Sequence, residues 1–202
     1  MRWPTLLSLL LVPAIVFADR EITIPKGRRL TAGEWRAEIL GVPGERTLNA
    51  WLGTGLLDSL DVELSLTRTA SQDTVGSFDF SYNFAPPLID VSPGLSFGVQ
   101  DALNRTEDGR ALYVATTYRY GNDGELNQDI PTEVSFGFWT RTSGLFFIGA
   151  RLPFSEHVIL VAEHNSRRLA GGVELRPLRG VVFKTVFESG ATALGLSLNH
   201  KF

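Results

Sequence analysis

The run "EHNSRR" (Glu163 to Arg168) holds the residues best typed for covalent chemistry. His164 and Ser166 are two apart, so a strand would put both on one face, and a histidine beside a serine can activate it as a nucleophile. Glu174 is the carboxylate available to orient the imidazole, which would complete a hydrolytic trio. The same run also reads as a tight turn, because Asn and Ser are common turn formers. The hairpin is the preferred reading, so no catalytic residue is assigned.

Metal and phosphate chemistry find less support. His157 and His200 are isolated from each other and from any carboxylate cluster at ligand spacing. "GNDGELNQD" offers Asp123, Glu125 and Asp129, but without the regular spacing of a calcium loop, and reads as a solvated connection. "GVPGE" and "GTG" read as turns; neither leads from a strand into a helix, so neither makes a phosphate cradle. The triplet "NRT" at Asn104 has the form of a glycosylation acceptor and carries no catalytic or metal-binding chemistry. No cofactor and no metal are expected.

The elements that would carry these residues alternate with a period of two. The expected strands are "EWRAEIL" (34–40), "TLNAWLG" (47–53), "LDVELSLTRT" (60–69), "SFDFSYNF" (77–84), "LSFGVQ" (95–100) and "ALYVATTYRY" (111–120). They continue with "TEVSFGFWTR" (132–141), "LFFIGARL" (145–152), "HVILVAEH" (157–164), "RLAGGVELR" (168–176), "VVFKTVFE" (181–188) and "ALGLSLNHKF" (193–202). That makes about twelve. The best helical candidate, "NAWLGTGLLDSL", carries Gly53 and Gly55, each costing a helix about 1 kcal/mol relative to Ala. A strand, a turn over Thr54 to Ser59 and a return strand are expected there instead. Pro86, Pro87 and Pro93 make Phe84 to Gly94 a connection.

Composition bounds the class. The chain has 202 residues, a formal net charge of −3 and 20% charged residues, which gives no electrostatic reason to bind nucleic acid. The start "MRWPTLLSLLLVPAIVFA" has a basic Arg2, an apolar run and a small-residue end, the layout of a secretory signal peptide. The expected division is a signal peptide over residues 1–18 and a single mature domain over 19–202. The absence of cysteine means that an exported chain must stabilise itself without disulfides.

Alternating strands admit a soluble sandwich, a soluble barrel or a membrane barrel. The apolar faces are four or five positions long and nearly free of charge. The opposite faces carry Arg36, Glu38, Asp61, Glu63, Asp79, Arg119, Glu133, Glu163, Glu174, Arg176, Lys184 and Glu188, mixed in sign. Charges facing inward can pair across a narrow lumen, while strands of 8–10 residues approach the roughly 9–11 that cross a bilayer. Trp35, Tyr82, Phe84, Tyr118, Tyr120 and Trp139 lie near strand ends and fit interfacial girdles. The expected fold is therefore all-β: a transmembrane, antiparallel, up-and-down barrel of about twelve strands. The outer connections are short, so no plug is expected, while Gly121 to Pro131 is long for a periplasmic turn; the lumen would be closed by ion-paired side chains or slightly leaky. Phe202, with Leu198 and Leu196 at alternate positions before it, resembles the C-terminal signal read by the outer-membrane assembly machinery.

Three stretches carry a family resemblance. "LGTGLLDSLDVELSLTRT", "PGLSFGVQDALNRTEDGRALYVATTYRYG" and "GLFFIGARLPFSEHVILVAEHNSRRLAGGVELRPLRGVVFK" together resemble the YjbH-type outer-membrane proteins linked to exopolysaccharide loci of Gram-negative bacteria. The matching features are turn-and-strand patterns, such as "G-x-R-L-P-F" leading to "V-A-E-H" and "G-V-E-L-R-P-L-R-G", and not catalytic signatures. The resemblance implies a non-enzymatic barrel in the outer membrane of a Gram-negative bacterium, supporting exopolysaccharide export or envelope organisation. Expected partners are outer-membrane lipid, the assembly machinery, and polysaccharide or export components. The alternatives are a membrane-embedded lipid hydrolase of the lipid A deacylase kind, centred on His164 and Ser166, and a soluble periplasmic binding barrel.

Overall fold

The computed structural model describes residues 22–27, 30–69, 72–106, 108–121, 130–141 and 144–202. Twelve strands follow one another: β1 (Glu34–Gly41), β2 (Leu48–Leu57), β3 (Leu60–Thr69), β4 (Gln72–Ala85), β5 (Gly94–Gln100) and β6 (Ala111–Tyr120). Next come β7 (Thr132–Trp139), β8 (Phe146–Pro153), β9 (Val158–His164), β10 (Leu169–Leu178), β11 (Val181–Glu188) and β12 (Ala191–Lys201). Each strand pairs antiparallel with its neighbours in sequence, and β1 pairs with β12 from Glu34↔Lys201 to Gly41↔Leu194. The sheet is thus a closed up-and-down barrel. Closure gives the edge strands' backbone groups ladder partners, which is how a cysteine-free chain completes its hydrogen bonding.

Period two decides which residues face where. On β3, Asp61 and Glu63 are buried while Leu64 and Leu66 are exposed; on β7, Glu133 and Ser135 are buried while Phe136 and Phe138 are exposed. The barrel therefore has its polarity inverted relative to a soluble one: the outer wall is a belt of Leu, Phe, Val and Ile, and the charges are inside. At the rim where β1 begins and β12 ends, here the terminal rim, Trp35, Tyr82, Phe84, Tyr118 and Tyr120 form an outward aromatic girdle. Tyr118 stacks on Phe136 at 6.1 Å and Tyr82 leans on Phe97 at 5.2 Å.

Three details differ from the sequence reading. Trp139 is buried inside, its ring 4.9 Å from Phe147, because it shares the parity of Glu133 and Ser135. Its aromatic type suggested an interface; its position in the alternation decides otherwise. The run Gly53 to Gly55 is no turn: β2 continues to Leu57 and only Asp58 and Ser59 turn. Finally, register shifts at Gly55/Leu57, Asn83/Ala85 and Leu175/Leu178 fall at the terminal rim and one at Thr67/Thr69 at the opposite rim, where bulges can bend strands without breaking the wall.

Candidate functional site

The lumen is the candidate site. Among the described residues, the buried or nearly buried strand charges that face it are eight acids (Glu34, Glu38, Asp61, Glu63, Asp79, Glu133, Glu163, Glu174) and five bases (Arg36, Arg119, Arg151, Arg176, Lys184). Nine of them form a connected lattice. Arg151 grips Glu174 with both guanidinium nitrogens, one at 3.0 Å to Oε1, and approaches Glu133 at 3.9 Å. Lys184 donates to Glu38 at 2.9 Å and lies 3.6 Å from Glu174, while Arg36 donates to Glu63 at 3.2 Å and sits 3.9 Å from Glu38. Arg119 meets Glu133 at 3.1 Å. Neutral partners complete it: Ser81 donates to Asp61 at 2.7 Å. Glu188 has the same inward parity but lies at the rim opposite the termini, where it pairs with the exposed Arg168 at 3.2 Å.

Sequence reasoning missed Arg151 and Glu34, although both follow the alternation of their strands, and it missed the occupant of the lumen altogether. The expectation of no plug is corrected: Ile22 to Gly27 lies inside the barrel ahead of β1, and Leu30 is buried there too. Glu163 accepts the backbone N–H groups of Ile22, Thr23 and Ile24 at 2.9, 2.8 and 3.2 Å, and the Thr23 hydroxyl donates to it at 2.5 Å. Lys26 Nζ meets Glu133 at 2.5 Å, and its carbonyl accepts from Ser96 at 2.6 Å. The Gly27 N–H donates to Thr117 Oγ1 at 2.7 Å, and the Thr31 N–H to Glu34 at 2.8 Å.

Apolar side chains fix the same segment. Ile22 joins Leu40, Trp51, Val161 and Val186 in one buried cluster, and Ile24 joins Tyr113, Trp139 and Phe147 in another. The wall is thinned to receive it. A side chain at Gly55 would run into the Thr31 carbonyl, and one at Gly53 would sit 3.1 Å from Leu30. A Cβ on Gly27 would lie 2.5 Å from the Gly94 carbonyl, so two backbones meet where only glycine permits it. The signal available in the sequence was this row of inward glycines, together with the alternating Ile22 and Ile24 before Pro25.

The hydrolytic trio is not assembled. Glu174 lies in the lumen, while His164 stands on the outer face with its ring 5.9 Å from Phe146. The Ser166 hydroxyl donates to the Phe146 carbonyl and accepts its N–H, and the Ser166 N–H points to His164 Nδ1 at 3.3 Å. Serine and histidine here build the β9–β10 turn, with Ser166 at φ 70°. His157 and His200 lie on separate elements, and Asp123, Glu125 and Asp129 fall outside the described residues.

At the rim opposite the termini, Asp101 clips the β5–β6 loop. Its carboxylate accepts Ser77 Oγ and the Arg105 N–H at 2.9 Å, and the Thr106 N–H and hydroxyl at 2.7 Å. Burial alone would raise its pKa, but the Arg105 and Thr106 bonds, with that of Ser77, outweigh burial and hold it below the ordinary 3.8. A depressed folded pKa gives stability that is present above 3.8 and lost as pH falls through the lowered value. Proteolytic nicking of residues 102–110 is therefore expected to stay low at neutral pH and rise under strong acid. In Asp101→Asn it should already be raised at pH 7.

No family model matches the chain, and no curated protein matches it in sequence. Among solved structures, it is similar to the Acinetobacter baumannii outer membrane protein Omp33, at TM-score 0.48 and 12% identity, covering 86% of this chain and 100% of that one. It is also similar to the N-terminal β-barrel domain of Pseudomonas aeruginosa OprF, at TM-score 0.28 and 16% identity, covering 84% of this chain and 98% of that one. The barrel itself is established by its own strand ladder, independently of these likenesses.

Proposed function

We propose that this chain is a non-enzymatic outer-membrane barrel of the YjbH type, a closed envelope scaffold supporting exopolysaccharide export or envelope organisation. The observation that carries the membrane reading is the inverted polarity of the wall. Leu52, Leu64, Phe138 and Phe187 are each more than half exposed on the outer face, while Glu174 and Arg36 are fully buried inside. A belt of that extent in water would be an aggregation surface; in lipid it is the required solvent match. The family resemblance of the turn-and-strand patterns supports the polysaccharide role.

Fractionation tests the reading: the protein should pellet with outer membranes and require detergent for release. Recovery as a soluble periplasmic protein would overturn it. Loss of the surface polysaccharide on deletion, restored by the wild-type chain, would support the export role; an unchanged polysaccharide would count against it.

The C-terminus supplies the assembly signal in this proposal. Phe202 is exposed, its ring 4.9 Å from His200, and its N–H donates to the Gly33 carbonyl at 3.0 Å. Leu196 and Leu198 share the outward parity of β12. Deleting Phe202 should reduce insertion severely while leaving secretion intact, measured as the ratio of membrane-inserted to periplasmic chain. Normal insertion of the truncated chain would contradict that role.

A further inference from the structure

We propose that Ile22 to Gly27 is a displaceable plug, and that the barrel it vacates conducts cations. The inference rests on the membrane reading above and goes beyond it.

The plug's polar contacts can be exchanged for water, while the burial of Ile22 and Ile24 holds it at rest. Glu163, Glu133, Ser96 and Thr117 grip it by their side chains, and the Glu163 carboxylate spends its hydrogen bonds on this segment. The wall does not need the plug for its own closure, since β1 and β12 complete the ladder. Withdrawing the segment would clear a space one backbone thick, about 5 Å. Twelve strands lie between small barrels filled by their own side chains and large porins that leave a water channel, so closure by an inserted segment suits this size.

Charge sets what would pass. Among the described residues, eight buried acids stand against five buried or nearly buried bases on the strands, and the plug faces the acids with Lys26 and with backbone N–H groups. Its departure uncovers Glu163 and deprives Glu133 of one cation, leaving a lumen with surplus negative charge. Such a bore concentrates cations and repels anions. Glu163 is the latch: neutralising it weakens the grip on three N–H groups and leaves the wall strands unaltered.

The test is planar-bilayer conductance across a KCl gradient, on protein first shown to be folded by heat-modifiable migration. The full chain should be mostly silent. Glu163→Gln should open at least roughly tenfold more often, the weight of weakened charge-assisted hydrogen bonds. A chain lacking Ile22 to Leu30 should conduct continuously, with a reversal potential favouring potassium over chloride. If that deletion does not fold, Glu163→Gln in the full chain decides. A folded Glu163→Gln or plug-deleted barrel as silent as wild type, or one preferring chloride, overturns the plug. A wild-type chain that never enters lipid overturns the membrane reading, and this inference with it.

Discussion

Replacing Glu174 by Leu is expected to be the most damaging single change in the lumen, costing about 3–5 kcal/mol of unfolding free energy. Glu174 is fully buried and serves three cations: Arg151 in a two-pronged bond, with Lys184 and Arg176 each at 3.6 Å. Arg151 retains Glu133 at 3.9 Å and Lys184 retains Glu38, but both lose their shared acid in a site screened from water. The cost comes from stranding buried positive charge, more than from losing any one bond. Urea unfolding in lipid vesicles, followed by tryptophan fluorescence, measures it. Glu188→Leu is the control. Its partner Arg168 is exposed at the rim, and exposed ion pairs contribute about 1 kcal/mol or less. Equal midpoints for the two variants would show that the lattice is not a stabilising device.

Introducing a charge on the outer wall should have the next largest effect. Leu64 lies mid-strand on β3, pairs with Leu52 and Phe78, and is exposed. In a bilayer, Leu64→Arg should cost about 2–4 kcal/mol, because arginine at the hydrocarbon midplane is poorly solvated. In water the same change at an exposed position would lie within about 0.5 kcal/mol. Leu57, at the terminal rim, gives the depth control: Leu57→Arg should cost no more than about 1 kcal/mol. A strong effect at 64 and a weak one at 57, in the same vesicle assay, would map the apolar belt onto the membrane. Two weak effects would argue for water on both sides of the wall.

The wall was legible because alternation is a local property. Asp61 and Glu63 face in and Leu64 and Leu66 face out for the same reason that successive Cβ atoms point to opposite sides. The strand "VVFKTVFE" could be bounded to the residue, since Arg179–Gly180 and Ser189–Gly190 punctuate it on both sides and Gly180 and Gly190 take positive φ. Where residue type competed with parity, parity prevailed, as Trp139 shows.

The plug was not legible, because nothing local defines it. "ITIPKGRRLT" is too short and too mixed to declare a strand, and its partners Glu133, Thr117 and Glu163 lie 90–141 residues away. Lys26 reads as an ordinary surface lysine until the fold places it against Glu133. The inward glycines Gly53, Gly55 and Gly94 were the trace it left: Gly55 and Gly94 face the segment's backbone, and Gly53 faces the Leu30 side chain. Glycine's weak strand preference was overridden there by the ladder on both sides and by that close approach.

A barrel with lipid outside and charge within underlies both effects, and heat-modifiable migration tests it most directly. The full-length chain, extracted from membranes in mild detergent, should run at one position in SDS when unboiled and at another after boiling. Closed barrels of this polarity keep their ladder until heat breaks it. A single position with and without boiling, from a protein recovered without detergent, would contradict the account.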